Sequence, residues 1–370
     1  MTAWYAISNA NAVPSPTVLV YPDRVHHNLN RMIELAGDVK RLRPHVKTHK
    51  LAPIVQMKRA SGIRKFKVST IAEAEMTAQA GGEDVLLAHQ PSGPNVLRLI
   101  TLMNTYPATR WSTLVDDEAN LQAIGSTMSA AGKVITLYMD LNVGMNRTGI
   151  VPGDAAFELY SHICKTPGVL AGGLHAYDGH LRDPDDQVLK EKVNQTFAST
   201  WALRQRLLQA GMPVPNVVAS GTPTFAILAH QPGIDIEVGA GTTALWDHGQ
   251  QQVCPSHKML NAAVLMTRII SKPTPDRLCF DLGHKSVGSE MPHPRVQIFG
   301  LEDAVAVTHS EEHLVLQTPR ADQYHVGQVM YGLPHHICPT MALHSEVWSV
   351  REGKAVDIWA VTARSRRLTI

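Results

Sequence analysis

The chain has 370 residues, long enough for about two domains or for one barrel with an appendage. Hydrophobic residues make up 44% and charged residues 18%, as in folded globular proteins, and 34 Lys+Arg against 32 Asp+Glu leave a net charge of +2, which excludes the basic footprint of a nucleic-acid binder. No apolar run approaches the ~20 residues that span a bilayer and the first residues lack the basic and apolar regions of a secretion signal, so no membrane partner is expected and the expected location is cytoplasmic.

In chain order, residues 17–21 form a short β-rich run, and 27–36 carry Leu29, Met32, Ile33 and Ala36 at helical spacing. Residues 66–69 read as a strand. Thr70 then caps a helix, with Glu73 as its capping-box partner and Gly81-Gly82 as its stop. The strand signal repeats at 84–88, 111–115, 134–141, 169–175, 217–219 and 234–238, with helical stretches 95–104, 117–131, 155–166 and 187–210 between them. Such alternation predicts βαβ units around a parallel sheet, and about eight units over roughly 220 residues predict a (β/α)8 barrel, placed at residues 16–250. No G-x-G-x-x-G turn follows an early strand to indicate a dinucleotide fold. Beyond Cys254 short alternating runs at 262–271, 278–281, 304–309, 314–317 and 355–362 predict a β domain of residues 251–370 together with 1–15, the boundary falling within 246–258. The four cysteines, Cys164, Cys254, Cys279 and Cys338, are too scattered for a disulfide framework.

A barrel keeps its chemistry at the C-terminal ends of its strands, and unusual polar residues gather there. Arg43-Pro44-His45-Val46-Lys47-Thr48-His49-Lys50 presents a lysine at such an edge. Desolvation and neighbouring cations can lower the pKa of Lys47 enough for a Schiff base with a carbonyl cofactor; a solvated basic loop is the other reading. His89-Gln90, Asp140 through Arg147-Thr148-Gly149, and His175-Ala176-Tyr177-Asp178-Gly179-His180 follow further strands. Ser220-Gly221-Thr222 and Gly241-Thr242 are small hydroxyl-bearing loops leading to helix starts, suited to a single phosphate ester, since no Walker lysine accompanies them. Near the C-terminus, His336-Ile337-Cys338 on an extended segment would put imidazole and thiolate on one side, within reach of one ion. Two ligands are too few for a structural zinc site and fit an open one completed by water and substrate; a buried cysteine beside surface histidines is the alternative.

These motifs resemble the D-threonine aldolase and D-serine dehydratase group of pyridoxal-phosphate enzymes, which shares the fold of alanine racemase. The resemblance runs from about Pro16 to Arg364, with Asp281-Leu282-Gly283-His284-Lys285 in the same order as the motifs above. It implies an N-terminal barrel with a C-terminal β domain, a homodimer, Lys47 holding pyridoxal 5′-phosphate, Gln90 among the cofactor-binding residues, Arg147 near its phenolic oxygen and Tyr177 beside its ring. It also implies that Ser220, Gly221, Thr222, Gly241 and Thr242 bind the phosphate, and that His336 and Cys338 ligate a divalent ion, zinc or manganese. Three positions depart from the family pattern: Thr243 stands where an aromatic residue is common, Asn142 where an acidic one is, and Cys338 where some aldolases carry Asp. The expected substrate is a D-β-hydroxy-α-amino acid, cleaved to glycine and an aldehyde or, alternatively, dehydrated to a keto acid and ammonia. Racemisation needs a second base on the opposite face, which alanine racemases supply as a tyrosine in a Gly-Tyr-x-Asp-Gly context, a segment not found here. A non-catalytic cofactor-binding protein would need neither the second domain nor His336 and Cys338.

Overall fold

A computed structural model describes residues 3–370. The chain divides into two compact units, one made of residues 30–47, 55–241 and 365–370, the other of residues up to Leu29, 48–54 and 242–364.

The first unit is built on seven parallel strands that pair in sequential order. Numbering continues from β1 (Thr17–Val20) in the other unit: β2 (Lys65–Val68), β3 (Asp84–Leu87), β4 (Arg110–Val115), β5 (Ile135–Leu141), β6 (Val169–Ala176), β7 (Asn216–Ala219) and β8 (Ile236–Val238). Helices alternate with them, α3 (Ile71–Gln79), α4 (Pro94–Thr105), α5 (Glu118–Ala130), α6 (Asp154–Ile163), α7 (Asp186–Gln209) and α8 (Phe225–Ala229), following α1 (Pro22–Ala36) and α2 (Ala52–Ala60); α9 (His248–Val253) lies in the other unit. Local chemistry sets their starts. Thr70 Oγ1 accepts from Glu73 N at 3.0 Å while the Glu73 carboxylate accepts from Ser69 N at 2.6 Å, and Asp117 and Asp185 cap the helices that follow them. The eighth position of the barrel belongs to the extended segment 42–46. It bridges in parallel to both edges of the sheet, Leu42 to Val238 and His45 to Lys67. Pro44 has no N–H to donate, so this segment makes bridges and not a full ladder. The buried guanidinium of Arg43 pins the seam, donating to Glu237 of β8 at 2.6 Å and Asp84 of β3 at 2.5 Å. Leu86 of β3, Leu114 of β4, Tyr138 of β5 and Val218 of β7 pack together as an apolar cluster of the sheet.

The second unit is a nine-stranded, mostly antiparallel sheet of order β12-β13-β10-β9-β1-β15-β16, with β14 on β9 and β11 on β14. Its strands are β9 (Ala263–Ser271), β10 (Arg277–Phe280), β11 (Val296–Ile298), β12 (Val305–His309), β13 (Leu314–Gln317), β14 (Val329–Pro334), β15 (Glu346–Arg351) and β16 (Lys354–Ala360). Two differences from the sequence reading appear here. Residues 17–20, expected inside the barrel span 16–250, pair antiparallel with β9 and parallel with β15. All four are buried, so their local pattern carries no information about which sheet they join. The segment after β14 is also not extended: α10 (Ile337–Leu343) starts at once, with His336 at its N-cap. Pro339 is tolerated in its first turn, and Asp247 Oδ2 accepts from Ile337 N at 2.9 Å. Among the described residues no helix is long and apolar enough to cross a membrane, and all four cysteines are free thiols.

Candidate active site

At the strand ends of the barrel unit, three cations converge on the ring of Tyr177, which follows β6. Lys47 Nζ lies 5.5 Å from the ring centroid, Lys67 Nζ 5.7 Å, and the Arg147 guanidinium carbon 4.9 Å. Lys47 is half-buried at the end of the closing segment, where its own N–H donates to His45 Nδ1 at 3.2 Å. The other ring nitrogen of His45 pairs with Ser69 Oγ at 3.0 Å, so the imidazole fixes the backbone from which Lys47 projects. Gly179 seats the ring: a Cβ there would stand 2.3 Å from the Tyr177 hydroxyl. Arg147 rides on a loop closed by Gly149 at φ +95°, whose N–H donates to Asp116 Oδ2 at 2.7 Å. Gln90 bonds twice to the same Asp116, donating to its Oδ1 at 2.8 Å and accepting from its N–H at 2.9 Å.

The loops after β7 and β8 are tied together. Ser220 Oγ accepts from Gly239 N at 3.0 Å and Thr222 Oγ1 from Gly241 N at 3.3 Å, while Gly221 N donates to the buried Asp178 carboxylate at 2.5 Å. Ser220 itself adopts φ +85°, an unusual conformation for a side-chain-bearing residue and one that clusters at ligand sites. Burial holds the Asp178 carboxyl above the usual carboxylate range, and its buried Oδ2 has no hydrogen-bond partner among the described residues.

Beneath the ring runs a buried polar chain. Asp140 Oδ1 holds His175 Nδ1 at 2.6 Å, and His175 Nε2 lies 3.4 Å from Lys67 Nζ. Burial and the nearby Lys67 push the His175 imidazole down; burial works against the Asp140 charge, but His175 and Thr148 outweigh it and hold the carboxyl low. Lys67 escaped the sequence reading. The one signal available was a lysine sandwiched between Phe66 and Val68 in a short strand, which reads equally as a surface position.

In the other unit, His336 and Cys338 come together at the start of α10. His336 Nδ1 bonds to the Glu290 carboxylate, and Cys338 Sγ lies 3.1 Å from Thr48 Oγ1 and 3.9 Å from Thr242 Oγ1. Burial opposes a charge on His336, yet its bonds to Cys338 and Glu290 and the field of Asp247 push its pKa up to about 9. The sequence reading missed Glu290, 46 positions away. No group of three or more His, Cys, Asp or Glu side chains gathers into a metal cage among the described residues.

Comparison with known proteins matches residues 20–242 to the family described as alanine racemase, N-terminal domain, and residues 262–350 to the putative serine dehydratase domain. The D-threonine aldolase of Arthrobacter sp. is 29% identical over 329 residues, 87% of this chain and 85% of the relative. The D-threo-3-hydroxyaspartate dehydratase of Delftia sp. is 24% identical over 369 residues, 93% and 96% of the two chains. The crystal structure of D-threonine aldolase from Filomicrobium marinum superposes with a TM-score of 0.89 at 26% identity, covering 98% of this chain and 99% of that one.

Proposed function

We propose that this chain, which belongs to the alanine racemase N-terminal domain family and is a pyridoxal phosphate-dependent lyase, cleaves D-β-hydroxy-α-amino acids to glycine and an aldehyde. The observation that carries the reading is the convergence of Lys47 and Arg147 on the Tyr177 ring at the strand ends of the barrel. The residues fit an anionic aromatic cofactor. Cations approach the half-buried Tyr177 ring, and Ser220, having accepted from Gly239 N, keeps its own O–H to donate.

When bound, pyridoxal 5′-phosphate supplies a carbonyl that captures amino groups and a ring that accepts the electron pair released at Cα. Lys47 is the amine placed to hold that carbonyl and to carry the proton at Cα. Arg147 would favour an anionic oxygen of the cofactor, and the Tyr177 ring beside it would offer a flat apolar surface. Gln90 keeps the Arg147 loop in place through Asp116. Ser220, Gly221, Thr222, Gly241 and, next in the chain, Thr242 take the phosphate. His336 and Cys338 would offer the nitrogen–sulfur pair that zinc accepts, with Glu290 bonded to Nδ1 so that Nε2 would be left to ligate. A divalent cation, zinc or manganese, supplies charge that eases loss of the β-hydroxyl proton. A homodimer is part of the same proposal.

Dehydration to a keto acid and ammonia is the second reading, favoured by the thiol at Cys338 and by the dehydratase among the relatives. Incubation with D-threonine and D-serine, with and without zinc or manganese, separates the two. Glycine and acetaldehyde from D-threonine are expected; 2-oxobutanoate or pyruvate with ammonia would establish dehydration in their place. A single lysine base serves one face of the substrate, so L-threonine should be inert, and its turnover would overturn the stereochemical part.

A further inference from the structure

We propose that Lys67 is a cofactor-facing residue, a buried amine of the barrel whose hydrogen bonding is completed by an anionic group of the bound cofactor. The inference rests on the reading that this site takes pyridoxal 5′-phosphate.

Lys67 is 2% exposed and projects from β2 toward the Tyr177 ring that Lys47 and Arg147 also approach. Among the described residues, the one hydrogen-bond partner of its Nζ is His175 Nε2 at 3.4 Å. The Asp140 carboxylate holds the His175 proton on Nδ1, a tautomer assigned from the hydrogen-bond network, which leaves Nε2 a neutral acceptor. One of three ammonium donors therefore has a partner, and among the described residues no carboxylate is in contact with the amine. A charged group in that setting is costly to bury. The sequence nevertheless makes room for it: a Cβ on Gly239 would stand 2.7 Å from Lys67 Nζ and 3.0 Å from Cε, and Gly239 has no positive φ to require glycine otherwise.

Several charged groups face Lys67 from the elements packed against it. Arg43 and Lys47 come from the closing segment, Asp140 from β5, and Asp178 from the loop after β6; Glu237 lies on β8. Burial is the largest influence, Lys47 adds to it, and together they bring the amine down to about 7 against the pull of Asp140 and Asp178. An anion brought against Lys67 restores its charge, so cofactor binding above neutrality takes up a proton at this residue.

The test is calorimetric titration of the cofactor-free protein with pyridoxal 5′-phosphate in buffers of different ionisation enthalpy, comparing wild type with Lys67→Met. Wild type should take up about 0.9 proton more than the variant at pH 8 and about 0.1 more at pH 6, as follows from a free-protein value near 7. The variant should also bind roughly tenfold more weakly at pH 8. Parallel titrations with pyridoxal and with inorganic phosphate identify the responsible oxygen, since the arm that keeps the proton difference contains it. Equal proton counts and equal affinities for the two proteins would overturn the proposal; a lysine of purely structural role would shift the thermal midpoint and leave the proton count alone. Lys67→Gln gives the same comparison should the Met variant fail to fold. Failure of wild type itself to bind the cofactor would refute the functional reading, and this inference with it.

Discussion

Replacing Arg43 with methionine tests how the barrel is closed. The guanidinium is 1% exposed and donates to two carboxylates, Glu237 and Asp84, whose side chains are 8% and 16% exposed. Removing it leaves both acids at the seam between the 42–46 segment, β8 and β3 without their central partner. Breaking a buried ion pair from one side costs about 3–5 kcal/mol. Lys65 still reaches Glu237, and Arg110 still lies 3.4 Å from Asp84, which puts the expected loss at the low end, about 3 kcal/mol. That corresponds to a fall in Tm of roughly 6–12 °C. Urea unfolding followed by far-UV circular dichroism measures it, with the midpoint moving and the slope m unchanged. The double variant Arg43→Met/Glu237→Gln should recover part of the loss, because the two residues share one network, giving non-additivity of about 1 kcal/mol or more. A loss below about 1 kcal/mol for Arg43→Met would refute the idea that this guanidinium ties the seam.

Three further outcomes are expected. Purified wild-type protein should be yellow, with borohydride fixing the cofactor to Lys47, and Lys47→Ala should lose both properties; colour that survives the substitution would move the attachment elsewhere. Chelation should abolish activity while leaving bound cofactor and Tm nearly unchanged, whereas loss of folding would mark a structural metal site, where binding energy is folding energy. Lys58 is fully buried and its pKa falls to about 7, so between about pH 7 and 10 the unfolded chain binds the proton that the folded one lacks, and stability of the wild type rises with pH across that window. Lys58→Met should flatten the rise, read as ΔG of unfolding at pH 7, 8.5 and 10; an unchanged slope would mean that Lys58 keeps its proton when folded.

Much of the barrel is written locally. The Thr70–Glu73 capping box, the Asp117 and Asp185 caps and the alternation of short apolar runs with amphipathic helices act over a few residues, so they can be read before any tertiary contact exists. The same holds for the placement of Lys47, Arg147, Tyr177, Ser220 and Thr222 just after strands, because the strand signal itself locates its own C-terminal end.

Other features depend on partners far away in sequence. Lys65 and Lys67 sit two apart on one strand and look alike, yet Lys65 binds Glu237 from a half-buried position while Lys67 is enclosed beside His175. Residues 17–20 could add to either sheet; pairing with β9 and β15 decided it, since hydrogen-bonding edges carry no label in the sequence. His336 and Cys338 were legible as a pair, but not as a helix N-cap and its first turn, which depend on Asp247 accepting from Ile337 N. Sequence alone determined the order of elements and the residue types offered at the strand ends. Tertiary structure decided which charges are enclosed and which meet, because burial and a distant partner, and not residue type, set the state of a lysine, an imidazole or a carboxylate.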